Sequence, residues 1–316
     1  MAKKFLKFNQ PNPCGIMFHH FHKNNKDKYV ENSITSKEFE KILKFIGLKN
    51  IISADLWAKK VLENKLKKNE VCITFDDGLK SQYEVALPIL KKYHIKAFWF
   101  IFSSVFYGKK DSNEIHKFFY KKYFKNFKFF FKNFKEEIII LKRAKFILKT
   151  INQKKAKNYM LKFKIYSKEE RIYKYLRDKI LTSKEIFQIY KNLFKKFKFN
   201  EKKIVKQLWI SKKDFKRIVN DNHVIGLHSF SHPSNIASKS YNYQFKEYKK
   251  NLIDLNRTYK KKIISASFPF NAYNLDSIKV LKRLNIKLCF SALSNIKFNR
   301  LIIPRIDHAK ILKKIY

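Results

Sequence analysis

Hydrophobic positions along this chain gather in short runs, not in long stripes. Seven runs read as strands: Gly15–Phe18, Val71–Phe75, Ala97–Phe102, Val224–Leu227, Ile263–Phe268, Lys287–Phe290 and Leu301–Ile303. Several lack regular polar alternation, the pattern of strands covered on both faces. Helical periodicity fills the intervals at Ser36–Ile46, Tyr83–Tyr93, Ser211–Val219, Phe245–Tyr259 and Leu275–Leu284. Thr35 or Ser36 suits the cap of the first, and Ser211 with Asp214 forms an imperfect capping box before the third. Strand and helix in alternation predict a parallel sheet or barrel.

The pattern changes between about residues 107 and 204, which read as mainly helical. The run Phe118 to Phe124 and then Phe127 to Phe134 interleaves aromatic rings with lysines. A helix with that pattern buries its rings and spreads its ammonium groups outward. We expect one domain over residues 1–316 carrying a helical insertion at about 107–204, which serves as a subdomain or lid beside the site. The same interleaving suits contact with a membrane surface.

Composition narrows the partners. The formal charge of +47 invites nucleic acid or anionic lipid. Lysine, phenylalanine, isoleucine and asparagine are inflated together, however, as AT-rich coding produces whatever the function. No arginine-rich recognition helix, finger spacing or aromatic ribonucleoprotein signature accompanies the lysines, so nucleic acid is not an expected partner. Lysines interrupt the apolar runs too often for a membrane span. Met1-Ala2-Lys3-Lys4 starts basic, but Lys7, Asn9, Gln10 and Pro11 break any leader-like apolar core. Cys14, Cys72 and Cys289 are odd in number and far apart, which fits thiols in a reducing compartment. The expectation is a cytoplasmic protein, peripheral at the inner membrane face where it meets anionic lipid.

The chemistry concentrates in two clusters. Thr74-Phe75-Asp76-Asp77-Gly78 ends an apolar strand with two adjacent carboxylates and a glycine. Successive strand side chains point to opposite faces, so both acids serve one site only if the strand breaks there, a break that glycine tolerates. The second cluster is His228-Ser229-Phe230-Ser231-His232-Pro233, a strand end followed by a tight polar turn. One Asp and two His suit zinc, and equally iron, cobalt or nickel, with open positions for water and a substrate oxygen. The other Asp is then free as a base, an arrangement that hydrolyses an amide or ester without a covalent intermediate. No serine sits in a Gly-x-Ser-x-Gly elbow, and Cys72 and Cys289 lie inside strands without a nearby partner.

These clusters, in this order, resemble the polysaccharide deacetylase family, the NodB-homology carbohydrate esterases. The resemblance covers roughly residues 12–105 and 205–308. It implies a distorted (β/α)7 barrel that removes acetyl groups from N-acetylated sugars. It makes Asp76 the general base, and Asp77, His228 and His232 the metal ligands. Trp209-Ile210-Ser211 and Val224-Ile225-Gly226 resemble the approach to the histidine motif. Ser267-Phe268-Pro269-Phe270-Asn271 is similar to the segment lining the site, which brings in Pro269 and Phe270 as substrate-binding residues. There Ser267 stands where many members carry an arginine that orients the catalytic aspartate, and Asn271 replaces a glycine. Gly15-Ile16-Met17-Phe18-His19-His20 resembles the first strand of bacterial members, so His19 and His20 line the pocket or supply the acid. The late-strand histidine used as catalytic acid by many members has one candidate here, His308.

The implied substrate is an N-acetylated sugar or glycan precursor of surface polysaccharide synthesis, nucleotide-linked or lipid-linked. A deformylase of a lipid-linked amino sugar and a non-catalytic glycan-binding barrel are the competing readings. The missing arginine favours the last; the four intact polar residues oppose it.

Overall fold

The structure, a computed structural model, describes residue 8 and residues 12–108, 111–161 and 166–316. The amino-terminal stretch read above for a leader lies almost entirely outside the described residues. Contacts divide the chain into two compact units, residues 1–111 with 205–316, and residues 112–204.

The first unit is a nearly closed parallel barrel. Its strands are β1 (Cys14–Phe18), β2 (Val71–Asp76), β3 (Phe98–Ile101), β4 (Val224–Leu227), β5 (Ser265–Ser267), β6 (Leu288–Phe290) and β7 (Arg305–Asp307). They lie in the order β6-β5-β4-β3-β2-β1-β7, every pairing parallel. The segment entering β7 closes the ring against β6, through the Phe290–Ile303 bridge and the Ser291 amide donating to the Ile303 carbonyl at 2.9 Å. This is the distorted (β/α)7 barrel expected from the sequence.

Alternation along the strands sorts the core into two faces. Phe98 and Phe100 of β3 meet Leu288 and Phe290 of β6 across the barrel, with Trp57 packed on Phe98 and Phe290. The intervening Trp99 and Ile101 join the larger cluster beneath the outer helices. Side chains of period two on a pleated strand require this division.

Capping chemistry starts the helices where the sequence indicates. Thr35 and Glu38 form a reciprocal capping box on Ser36–Ile46, and Ser211 with Asp214 does the same for Lys212–Asn220. The helix expected at Tyr83–Tyr93 begins instead as a wide turn, Gln82–Ala86, before Leu87–Lys92. Its widening accompanies Pro88, whose ring cannot donate the ordinary helical hydrogen bond. The seventh strand lies further along the chain than the apolar pattern predicts. Leu301–Ile303 is the more apolar stretch, but the strand proper is Arg305–Asp307, and only Ile303 makes a bridge to β6. A charged residue in a buried strand hides it from a reading based on hydrophobic runs.

The second unit is helical: Ser112–Tyr123, Phe127–Ile139, Ala144–Ile151, Lys154–Lys157, Lys168–Tyr175 and Ser183–Lys196 are its main segments. Aromatic rings make its core, with Phe119, Phe130, Phe134, Tyr173 and Tyr190 buried against one another. No helix among the described residues is long and apolar enough to cross a membrane.

Candidate metal centre and active site

The site gathers at the carboxyl ends of the barrel strands, where loops are free to carry polar groups without interrupting the sheet. Strand β2 ends at Asp76, and the backbone then turns sharply. Asp77 has φ of 75° and Gly78 of 61°, both left-handed. That break turns both carboxylates to one site. Leu79 and Gln82 secure the turn: the buried Gln82 amide accepts from the Leu79 amide and donates to the carbonyls of Asp76, at 2.6 Å, and His19, at 2.9 Å. Gly78 has an added constraint, since a methyl group there would lie 3.3 Å from the Ile101 side chain.

The histidine turn is held just as firmly. Asn251 accepts from the His228 amide and donates to the Ile101 carbonyl, tying the end of β4 to β3. The Glu247 carboxylate accepts from the Phe230 and Ser231 amides and from the Ser231 hydroxyl. Ser229 and His232 adopt left-handed φ of 60° and 53°. A turn with two such residues persists only where its surroundings over-determine it, as these bonds do.

The result is convergent. The Nε2 atoms of His228 and His232 each lie 3.2 Å from the same Asp77 oxygen, Oδ1. Their other nitrogens are already engaged: Nδ1 of His228 faces the Ser267 carbonyl at 2.9 Å, and Nδ1 of His232 faces Asp111 Oδ2 at 2.9 Å. Both rings are thus oriented from behind, with the free nitrogen pointing inward, as metal-ligating histidines are. One carboxylate and two imidazoles within 4.8 Å of one another form a three-residue site for a divalent ion. The donor set fits zinc and its neighbours and leaves coordination positions open.

The three side chains are also coupled electrostatically. Burial raises the pKa of Asp77, but His232 and His228 outweigh it and hold the carboxyl well below its usual range. For His232, burial lowers the pKa, and Asp77 and Asp111 more than reverse this. Acid and imidazole are arranged to share a cation.

Asp76 is built differently. Its two oxygens accept from Arg305, Nη1 to Oδ1 at 2.7 Å and Nη2 to Oδ2 at 2.8 Å, with both residues buried. The Ser267 hydroxyl lies 3.1 Å from Oδ2. Burial raises the Asp76 pKa, and Arg305, His228 and His19 together bring it below the ordinary value. Ser267 carries no guanidinium, and the arginine that meets this aspartate comes instead from another strand, β7.

The remaining sequence candidates separate. His19, beyond the end of β1, is partly exposed and has Nε2 3.7 Å from Asp76 Oδ2. Burial lowers its pKa more than Asp77 and Asp76 raise it. His20 is buried behind it, its ring 6.2 Å from that of His19 and 5.7 Å from Tyr29. Phe270, left-handed at φ 51° and half exposed, lays its ring 4.7 Å from that of His232, while Pro269 is buried beneath. Asn271 also takes the left-handed geometry expected of it, φ 54°. His308 is not brought into the group. Its Nδ1 and Nε2 face the carbonyls of Met17, at 3.3 Å, and Asn32, at 2.8 Å, and its ring stacks on Phe18.

Arg305, Asp111, Gln82, Glu247 and Asn251 escaped the sequence reading. Only Arg305 carries a signal of its own, as one of eight arginines in a chain with 72 lysines and arginines. All three cysteines are buried thiols, with Cys14 pushed up to about 12 by burial, which removes them as nucleophiles.

A parallel barrel whose strand ends hold an Asp-His-His metal site beside a second, buried aspartate defines a metal-dependent hydrolase architecture. The sequence matches the family described as polysaccharide deacetylase over residues 63–119 and 166–289, more than half its length, and the chain belongs to that family. No curated protein matches it in sequence. Among solved structures, it is similar to the Streptococcus pyogenes deacetylase PplD determined in complex with acetate, at 16% identity and a TM-score of 0.56, covering 98% of each chain. It is also similar to a de-N-acetylase from Aggregatibacter actinomycetemcomitans, at 14% identity and TM-score 0.55, covering 96% of this chain and 99% of that one. IcaB from Ammonifex degensii follows at 12% identity and TM-score 0.53, covering 95% and 92%. At these identities the likeness is one of fold.

Proposed function

We propose that this protein hydrolyses the N-acetyl group of a sugar, releasing acetate and the free amine. The observation that carries the reading is the division of two adjacent carboxylates: Asp77 faces two imidazoles, and Asp76 is held by a guanidinium beside them. Family membership and the activities named for the similar structures support the substrate class. The lowered pKa keeps Asp76 ionised at neutral pH, so it takes a proton from the attacking water. His19, 3.7 Å away, passes that proton to the leaving nitrogen. Water oxygen thereby bonds to the acetyl carbon, the C–N bond breaks, and the amine leaves protonated. His19 replaces His308 in this role, since both nitrogens of His308 meet backbone carbonyls.

A divalent ion bound by Asp77, His228 and His232 would act as a Lewis acid toward water and the amide oxygen. Zinc is our choice for that ion on the donor set, with iron, cobalt and nickel sharing the preference. Phe270, its ring exposed over His232, is the surface on which a sugar face stacks, and His20 backs His19 at the same mouth. We assign the substrate to the precursors of a surface glycan and the enzyme to the cytoplasm, a reducing compartment that its three free thiols suit. The glycan-binding alternative loses its main support with Arg305 in the place of the missing arginine.

The test is acetate release by zinc-loaded protein from free, nucleotide-linked and lipid-linked N-acetyl sugars, with N-formyl counterparts in parallel. Acetate from at least one class supports the reading. Formate alone would turn it to the deformylase, and binding of a glycan with neither product would turn it to the non-catalytic barrel.

A further inference from the structure

The helical unit holds a cavity of about 550 Å³, within the range of roughly 300–1,000 Å³ usual for small-molecule sites. Five lysines line it. Lys128, Lys132 and Lys135 recur at intervals of four and three along Phe127–Ile139, so they share one face of that helix. Lys157 ends the segment Lys154–Lys157, and Lys168 begins Lys168–Tyr175. Against these stands one acid on the lining, Glu169. Elsewhere in the unit Lys117, Arg143 and Lys196 are paired with Glu114, Glu185 and Glu136. Among the described residues, none of the five cavity ammonium groups forms an ion pair. Like charges gathered around one volume repel one another, and an anion between them relieves that repulsion.

The wall behind the cations is apolar. Phe131 and Ile172 are buried, Ile151 is half-buried, and Phe129 is 52% exposed. The Lys135 ammonium sits over the Phe131 ring, 5.6 Å from its centroid, which holds this cation against the wall. Asn126 Oδ1 accepts from the Phe129 amide at 2.9 Å, so the NH2 of the same side chain is left to donate beside the lysines.

Charge and wall together describe one kind of molecule. The lysines suit phosphate oxygens, which an ammonium meets as a point charge; no arginine on the lining offers the planar fork that reads a carboxylate. Lysines one helical turn apart present their charges to linked phosphates better than to a single one. The apolar wall asks for a ring or hydrocarbon on the same ligand. We propose that this cavity is a binding site for an organic diphosphate, with the phosphates on the lysines and the apolar or aromatic part against Phe129 and the isoleucines. Nucleoside diphosphates and isoprenoid diphosphates share that chemistry. The site is independent of acetyl hydrolysis in the barrel, and its test reads binding without turnover.

The experiment is titration calorimetry of the full chain at physiological salt with uridine diphosphate, farnesyl diphosphate and inorganic diphosphate. At least one organic probe should bind one to one and about 10-fold or more tighter than inorganic diphosphate, the gain expected from burying a ring or short chain. Uridine diphosphate alone would identify a nucleotide as the source, farnesyl diphosphate alone a lipid, and both together the shared chemistry; each supports the site. Lys132→Glu/Lys135→Glu should weaken the organic probe by about 10-fold or more. Lys145→Glu/Lys149→Glu changes net charge equally on the neighbouring helix, outside the lining, and should stay within about twofold of wild type. Should the reversal unfold the unit, Lys132→Gln/Lys135→Gln carries the same test without adding negative charge. Phe129→Ala should reduce the organic probe to the affinity of inorganic diphosphate. The proposal is overturned if neither organic probe binds more tightly than inorganic diphosphate, or if the substitutions outside the cavity cost as much as those within it.

Discussion

Removing Asp111 should weaken metal binding without touching a ligand. His228 is oriented by a backbone carbonyl, that of Ser267, which no substitution deletes. His232 depends on a side chain, Asp111 Oδ2 at 2.9 Å from Nδ1. A hydrogen bond to a charged group contributes about 1.5–3 kcal/mol, an upper bound here because Asp111 also holds His232 before the metal arrives. A second effect opposes the loss. Asp111 helps to raise the His232 pKa, so deleting it reduces the competition between proton and metal at neutral pH. The net expectation for Asp111→Ala is about 10-fold weaker zinc affinity, the low end of the range for outer partners of metal-bound histidines. Asp111→Asn keeps an acceptor for the Nδ1 proton and should lose only about threefold. Competition against a chromogenic chelator at pH 7.5 measures both. Zinc affinity of Asp111→Ala within twofold of wild type would refute the reasoning, as would an equal loss in the Asn variant.

Other substitutions test separate parts of the structure. Gly226→Ala should destabilise the barrel by about 1–3 kcal/mol in denaturant unfolding, because its methyl group would lie 2.4 Å from the buried Phe100 ring; an unchanged midpoint would contradict this packing. His223 is buried and accepts from the Ala97 amide, and burial with Lys96 depresses its pKa from 6.5 to about 4. The unfolded chain therefore binds this proton first, so stability is full above pH 6.5 and falls by about 3 kcal/mol on acidification to pH 4; His223→Gln should flatten that part of the stability–pH curve relative to wild type. The lysine-rich helical unit is expected to bind vesicles containing phosphatidylglycerol, less at high salt, and less again when several of Lys121 to Lys135 are reversed in charge; wild type that ignores such vesicles at low salt ends the membrane reading.

The sequence made the site legible because its chemistry is local. Asp76-Asp77-Gly78 and His228 to His232 are contiguous motifs at strand ends, so residue type and neighbours suffice. The barrel was legible for a similar reason, since buried parallel strands are apolar runs of recognisable length. The failures lie where function depends on groups far apart in sequence. Arg305 meets Asp76 only because β7 closes beside β1, and its charge concealed the strand that delivers it. Asp111 reaches His232 from a segment with no motif at all. His308 shows the same limit, because a histidine near a late strand looks the same in sequence whether it faces the site or, as here, the carbonyls of Met17 and Asn32.

The central claim is that Asp76 performs chemistry at a metal held by its neighbours. Zinc content and acetate release from N-acetylglucosamine oligomers and nucleotide- and lipid-linked N-acetyl sugars, measured together for wild type, Asp76→Asn and His228→Ala, test it most directly. Wild type should hold one zinc and release acetate, Asp76→Asn should hold full zinc with turnover reduced by about 100-fold or more, and His228→Ala should lose both. Near-wild-type turnover in zinc-loaded Asp76→Asn, or undiminished zinc in His228→Ala, would contradict it, as would wild type that binds zinc and releases no acetate from any of these sugars.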